Sequence, residues 1–337
     1  MTITANDYQR FGRRVTSLRT PVLLTHTRAA GDALGSLIAL RSILTALGRE
    51  PTSLTFEPAA AKYRWLVDEI AIDVWGDGDP PRCIRQADGV IVCDTCTYNQ
   101  LEPAADWLRS LRHDGSIPIL AIDHHVTRDD IADDHLTDTT AAAVCIVLYE
   151  LAQANGWPLD IAAATALFVG IATDTGWFRY SNTDARTLAA AARLVDAGLN
   201  PNVIYDRLFQ SDAPHRVRLF GAALRDLELH HDGATAVMTV SADTLESFGA
   251  SPNDTEDLIS EALRIQSVEV AVLLCQQDRD PGTPVKVSFR SRSRVDVAAL
   301  AARFGGGGHV RAAGARITGS LLDVKERILR ELQNQGT

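Results

Sequence analysis

Short apolar runs alternate with helical periodicity through the first half of the chain. Pro21 to Thr25, Gly89 to Cys93 and Ile117 to Ile122 each read as a strand, and each stops at a polar cluster. The spacing predicts helices over Ala33 to Leu47, opened by Asp32, and over Ala141 to Gln153 and Ile161 to Ile171. Another over Asp184 to Ala197 ends at Gly198 and Asn200-Pro201. Strands separated by helices predict a mainly parallel sheet with helices packed on it. In such sheets functional groups gather at the carboxyl ends of strands, and His26, Asp94 and Asp123 sit there.

From Asn202 to about Leu219 the pattern is helical, and the stretch lacks the Gly and Ser richness of a flexible linker. Strands follow at Ala234 to Val240, Val268 to Cys275 and Val285 to Arg290, with helices at Asp254 to Arg264, Val297 to Phe304 and Leu322 to Leu332. The expected class is therefore α/β. A domain over 1–200 carries the parallel sheet, 201–220 is a helical connector, and 221–337 forms a smaller α/β domain.

Composition narrows the function. With 337 residues, 46% of them hydrophobic, the chain can fill two cores. A net charge of -10 argues against a broad basic surface for long duplex nucleic acid, which binds through many Lys and Arg contacts to phosphate. A small anionic substrate at a local cationic or metal site fits. Only Lys62, Lys286 and Lys325 are lysines; the arginine bias suits bidentate phosphate recognition, although a GC-rich genome explains it more simply. Cys83, Cys93, Cys96, Cys145 and Cys275 are odd in number, scattered and mostly within apolar runs, so they read as reduced core thiols. The Cys93 to Cys96 spacing lacks the second pair that a zinc site needs. With no apolar leader and no apolar stretch of about 18 residues, a soluble cytoplasmic protein without a membrane partner is expected, and a homodimer is compatible with it.

Four short clusters combine Asp and His after predicted strands: His26 with Asp32, Asp94, Asp123-His124-His125, and Asp174. Each alone reads more simply as a capping aspartate or a satisfied surface histidine. Together at one sheet edge, carboxylates and imidazoles suit a hard divalent cation such as Mn2+, whereas structural zinc would call for thiolates. Shared carboxylates would hold two ions roughly 3.5 to 4 Å apart, an arrangement that activates water and stabilises both oxygens in displacement at phosphorus. In the second half, Gly305 to Gly308 precede His309, and Arg290 lies on the preceding strand. Glycine amides approach a phosphate closely, and a nearby helix start would favour the anion. Trp177, Phe178 and Tyr180 after Asp174 suit either base stacking or core packing. Arg179 suits a phosphate or a carboxylate. His113, His135, His215, His230 and His231 read as surface residues.

These landmarks, HTRAAGDALGS (26 to 36), VCDTCTYNQL (92 to 101), IDHHVT (122 to 127), GIATDTGWFRYSNT (170 to 183), NDTEDLISEALRIQSVEVAVLL (253 to 274) and VSFRSRSRVDVAALAARFGGGGHVRAAG (287 to 314), resemble the DHH phosphoesterases with a DHH-associated C-terminal domain. The nearest branch is the nanoRNases and phosphoadenosine phosphate phosphatases. The resemblance implies that His26 and Asp94 hold one Mn2+, and that Asp32, Asp94, His124 and Asp174 hold the other. It implies that Asp123 orients histidine and that His125 faces the substrate phosphate or leaving oxygen. Arg290, His309 and the amides of Gly306, Gly307 and Gly308 would hold the nucleotide from the second domain, with the active site in a cleft between the domains.

One landmark departs. Ala29-Ala30 stands where the family carries Pro-Asp, and that Asp is a ligand of the first ion. Alanine cannot coordinate, so the first ion should bind more weakly or recruit water. Decay would erode the other landmarks too, which leaves an isolated inactivating substitution, slightly favoured, or a natural variant site. The function read from the chain is hydrolysis of short oligonucleotides to mononucleotides, or of 3'-phosphoadenosine 5'-phosphate to AMP, with linear or cyclic dinucleotides as alternative substrates. The rival is a nucleotide-binding protein of the same family without turnover.

Overall fold

Leu23 packs into one apolar layer and its neighbours Val22 and Leu24 into another, and all three are buried. Two-sided burial explains why β1 (Val22–Leu24) is apolar throughout. It joins a sheet with β2 (Thr52–Thr55), β3 (Ile72–Val74), β4 (Val90–Cys93), β5 (Ile119–Asp123) and β6 (Asp134–Thr137). All neighbours are parallel, in the order β3-β2-β1-β4-β5-β6. β2, β3 and β6 had left no apolar run in the sequence, because they are short and carry polar or half-exposed residues. The order reverses between β1 and β4, and such a switch point opens a crevice at the carboxyl ends of the strands.

The computed structural model describes residues 3–68, 70, 72–76, 80–280 and 282–334. They divide into two units, Met1–Ser211 and Asp212–Thr337. In the first, the helices are α1 (Ala5–Ser17), α2 (Gly31–Ala46), α3 (Arg64–Val67), α4 (Ala105–Asp114), α5 (Val144–Asn155), α6 (Ile161–Asp174), α7 (Ala185–Asp196) and α8 (Pro201–Phe209). α1, α2, α5 and α6 supply the layer that receives Leu23, and α4 covers the opposite face. α2 and α6 lie very close. A Cβ on Gly35 would meet the Ala166 carbonyl oxygen at 2.4 Å, and one on Gly170 would meet Cys145 Sγ at 2.3 Å and Asp32 Oδ1 at 2.6 Å.

The second unit comprises α9 (Pro214–Arg225), β7 (Glu228–His230), β8 (Thr235–Val240), α10 (Ala242–Phe248), α11 (Leu258–Ala262), β9 (Val270–Cys275), β10 (Val285–Ser291), α12 (Val297–Ala302), β11 (Gly307–His309), β12 (Ala312–Ile317) and α13 (Leu321–Asn334). Its sheet runs β11-β12-β10-β9-β8-β7, with only β8 and β9 parallel. The helix expected from Asp254 is broken: Asp257 is left-handed (φ 66°), so α11 begins after it. The stretch 201–220 is largely helical and divides between the units, with α8 in the first and the start of α9 in the second, where the whole of that helix lies. Among the described residues no helix is long and apolar enough to cross a membrane.

A charged network ties the helices of the first unit to the end of the sheet. Arg186 Nη1 donates to Asp138 Oδ2 at 2.8 Å and its Nε to Glu150 Oε1 at 2.6 Å, while the Tyr8 hydroxyl donates to Glu150 Oε2 at 2.6 Å. Burial favours the neutral form of Asp138, but bonds from Thr140 and Arg186 outweigh it and hold its pKa below the usual value. Arg186→Ala is expected to cost roughly 2–3 kcal/mol in urea denaturation at neutral pH, somewhat less than for a fully buried pair. Because the Asp138 pKa is depressed on folding, its contribution is present above about pH 4 and is lost as pH falls through the folded value. Acid titration of stability should therefore be shallower in the Arg186→Ala protein.

Candidate metal centre

Three carboxylates and two imidazoles converge where β1 and β4 end. His26 follows β1, Asp94 follows β4, and Asp123 closes β5. Asp94 is left-handed (φ 65°), an uncommon conformation for a residue with a side chain and one concentrated at functional sites. His26 Nε2 lies 3.4 Å from Asp94 Oδ2, and His124 Nε2 lies 3.4 Å from Asp94 Oδ1, 3.6 Å from Asp174 Oδ2 and 3.9 Å from Asp32 Oδ2. The ligand atoms of Asp32, His124 and Asp174 fall within 4.8 Å of one another, as do those of Asp94, His124 and His125.

Main-chain groups fix the histidine tautomers. His26 Nδ1 donates to the Thr27 carbonyl at 2.6 Å, and His124 Nδ1 to the Ala141 carbonyl at 3.1 Å. A carbonyl can only accept, so in the neutral rings Nε2 carries the lone pair, aimed at Asp94. Asp123, fully buried, accepts through Oδ1 from the amides of His124 (2.8 Å) and His125 (3.2 Å) and from His125 Nδ1 (2.8 Å). One carboxylate thus sets the orientation of the whole histidine pair.

Asp32 was expected to open its own helix. Instead it lies inside α2, and the N-cap is Ala30, which makes no side-chain capping bond. Its carboxylate turns to α5, accepting from Val144 N at 2.6 Å and Cys145 N at 3.0 Å, the first amides of that helix. The amides and the helix dipole both favour an anion there. The sequence offered no signal for this partnership, nor for Gly170, whose missing side chain leaves the room that Asp32 occupies.

The electrostatics show what the cluster lacks. Burial, then the charge of Asp94, pushes the Asp32 pKa up to about 6. Burial, then the charges of Asp32 and Asp94, raises Asp174 likewise. Burial opposes the charge on His124, yet Asp94, Asp32 and Asp174 outweigh it and lift its pKa to about 10. Burial disfavours ionised Asp94, but His124 and His26 hold its pKa below the usual range. For His26 and His125 burial is likewise outweighed, chiefly by hydrogen bonding to Asp94 and Asp123 respectively, and both are raised. Buried Asp94 Oδ1 makes no hydrogen bond at all. Negative groups that repel, a buried orphan oxygen and two Nε2 atoms facing the two oxygens of that same carboxylate make a donor set that fits divalent cations taking mixed O and N ligands, Mn2+ among them.

Other expected residues lie elsewhere. Arg179 Nε donates to the Gly176 carbonyl at 2.8 Å, and its side chain is exposed. The Trp177 ring meets Phe168, Phe178, Tyr205 and Phe209 edge-on or tilted, so it packs between α6 and α8. Arg290 stands on β10 and Gly307 to His309 form β11, in the second unit; the His309 side chain lies outside the described residues. No helix starts at the glycine run. It follows the end of α12, and the Gly306 amide donates to the Ala301 carbonyl at 2.9 Å, which commits it to closing that helix. A Cβ on Gly308 would meet the Ala312 carbonyl oxygen at 2.5 Å, so glycine there serves the close pairing of β11 with β12. Cys93 and Cys96 are buried, which pushes both thiols up and leaves them unreactive. His135, expected at the surface, is half-buried with Nδ1 3.8 Å from Cys96 Sγ.

A parallel sheet with an acidic, histidine-rich crevice at its switch point defines a metal-using hydrolase class. Family models divide as the chain does: the DHH family N-terminal domain matches residues 22–171 and the DHHA1 domain matches residues 233–335. The chain belongs to the DHH/DHHA1 phosphoesterases. It is 32% identical over 325 residues to the bifunctional oligoribonuclease and PAP phosphatase NrnA of Thermus thermophilus, covering 94% of this chain and 90% of that protein. It is 28% identical over 327 residues to the protein of the same name from Bacillus subtilis, covering 95% and 96%. In fold it is similar to an exopolyphosphatase-related protein from Bacteroides fragilis, with a TM-score of 0.89 at 20% identity over 99% of both chains.

Calorimetry can read the metal-using centre without any substrate. Mn2+ at about a hundred times its Kd should stabilise the chain by about 2.7 kcal/mol, raising the thermal midpoint of the first unit by roughly 5–10 °C. Asp94→Ala should abolish the rise. Gly170→Ala should reduce it, since the new methyl would crowd Asp32; an unchanged rise there would show that Asp32 does not need its present position.

Proposed function

We propose that this chain hydrolyses short oligonucleotides to mononucleotides and 3'-phosphoadenosine 5'-phosphate to AMP. The observation that carries the reading is the convergence of His26, Asp32, Asp94, His124 and Asp174 at one crevice. It is supported by likeness over nearly the full length to two proteins named as oligoribonuclease and PAP phosphatase.

Asp32, Asp94, His124 and Asp174 would hold one divalent cation, and His26 with Asp94 a second. When bound, such ions supply Lewis-acid neutralisation of the phosphoryl oxygens and activation of a water. Every other part of the reaction falls to the chain itself. Asp123 anchors His125 through Nδ1, so the ring can present its other nitrogen to the leaving oxygen and deliver a proton as the P–O bond breaks. Arg290, the Gly307 and Gly308 amides and His309 would bind the terminal phosphate, and Arg179 a phosphate closer to the centre. Backbone amides and a planar guanidinium are both suited to that anion.

Ala30 makes the two ion sites unequal. At the N-cap of α2 an aspartate would serve twice, accepting from the first amides of the helix and adding a negative ligand beside His26. With alanine the first site keeps only His26 and Asp94. A mononucleotide-release assay in Mn2+, paired with titration calorimetry, tests this. The chain should bind one ion tightly and release mononucleotide slowly from a dinucleotide. Ala30→Asp should bind two ions and raise kcat/KM by at least about tenfold, on the order of 1.4 kcal/mol. No release by either protein would sink the proposal. Nucleotide binding without turnover in both would favour a non-catalytic binding protein.

A further inference from the structure

Asp123 is fully buried, and its three donors all meet one oxygen, Oδ1. The other, Oδ2, makes no hydrogen bond among the described residues. A carboxylate oxygen taken out of water without a donor forfeits its solvation, so the groups on that side decide how firmly the carboxylate is held.

Strand alternation places those groups. In β5, Leu120 and Ile122 pack into the layer of α1, α2, α5 and α6, whereas Ile119 and Ala121 pack into the layer of α4. Asp123 continues the second set and faces α4. In β6, Leu136 belongs to the first layer, which turns His135 and Thr137 towards α4 as well. Thr137 is in parallel register with Asp123, and its hydroxyl oxygen, also buried, likewise makes no hydrogen bond among the described residues. Two polar atoms without partners therefore stand on one face of adjacent strands about 5 Å apart.

Cys96 reaches the same place from the opposite side. It follows β4, is buried in the α4 layer, and brings Sγ to 3.8 Å from Nδ1 of His135 on β6. The sheet order is β4-β5-β6, so a side chain from beyond β4 that meets β6 must lie across β5. His135 is in register with Ala121, whose small side chain leaves room for the thiol beside Asp123. Burial, and next the charge of Asp123, raises the thiol pKa, so the sulfur keeps its proton and is a donor. Thiol and hydroxyl protons both turn about the bond to their carbon, and the anionic oxygen is the strongest acceptor they face.

We propose that Cys96 and Thr137 are positioning residues for His125: from the α4 side they donate to Asp123 Oδ2 and lock the carboxylate whose Oδ1 holds His125 Nδ1. Bonds on both oxygens resist rotation of the carboxylate better than bonds on one. The imidazole is then kept in the orientation from which it serves the leaving oxygen. The inference rests on the hydrolase reading of the centre for the use made of His125, and not for the contact itself.

NMR of the His125 Nδ1 proton in the metal-free chain tests the contact without turnover, through the rate at which that proton exchanges with water. In the double variant Cys96→Ala, Thr137→Val it should exchange at least about tenfold faster, the scale of one hydrogen bond to a charged group. Thr137→Val alone, which changes shape least, should give about a threefold part of that acceleration. Cys96→Ser with Thr137→Ser keeps both donors and should stay within about twofold of the parent chain. Mn2+ should raise the thermal midpoint of every variant as it does that of the parent, because neither residue is a candidate ligand; the rise also confirms that each variant folds. Unchanged exchange in the donor-free variant, equal acceleration in the donor-free and serine variants, or loss of the Mn2+ rise would overturn the proposal. Dinucleotide turnover in Mn2+ then separates the contact from the reaction. A lower kcat at unchanged KM in the donor-free variant supports the positioning role. Turnover at equal kcat in all the proteins removes that role and keeps the hydrolase. No turnover in any of them, with faster exchange in the donor-free variant, keeps the positioning of His125 and removes the proposed reaction.

Discussion

A carboxylate removed from water must be held by donors, and Asp32 is held by two main-chain amides at the start of α5. Much of the crevice depends on that arrangement. It requires α2 to approach α6 closely enough that Gly35 and Gly170 have no room for a side chain. The same contact places Asp174, at the end of α6, opposite His124. Helix packing, capping and ligand placement are one constraint seen from three sides.

Topology supplies the rest. The parallel sheet reverses its order between β1 and β4, so the loops carrying His26 and Asp94 diverge above adjacent strands. Asp94, its backbone left-handed, meets both imidazoles. That strain and the mutual repulsion of three carboxylates are costs borne by the folded chain, of order 1–3 kcal/mol for the backbone alone. A bound cation offsets the electrostatic part.

Much of this was legible in the sequence, and for a physical reason. Strands buried on both faces must be apolar, so β1, β4 and β5 announced themselves, and the polar residues that ended each run were those at the crevice. β2, β3 and β6 were silent because half-exposed strands of three or four residues carry no period. Asp32 was visible as an acidic residue near a helix start, but its true partners lie about 112 positions away. Non-local bonds of this kind leave no spacing to read. The glycine run misled in the opposite way: its composition suggested an anion loop, whereas Gly306 closes α12 and Gly308 lets two strands approach.

The amides of Val144 and Cys145 have a further consequence. Their acceptor is also a candidate ion ligand, so the start of α5 senses what neutralises Asp32. A carboxylate neutralised by a proton is a poorer acceptor than one that keeps its charge beside a cation. The hydrogen bonds that open α5 therefore depend on how the charge of Asp32 is balanced.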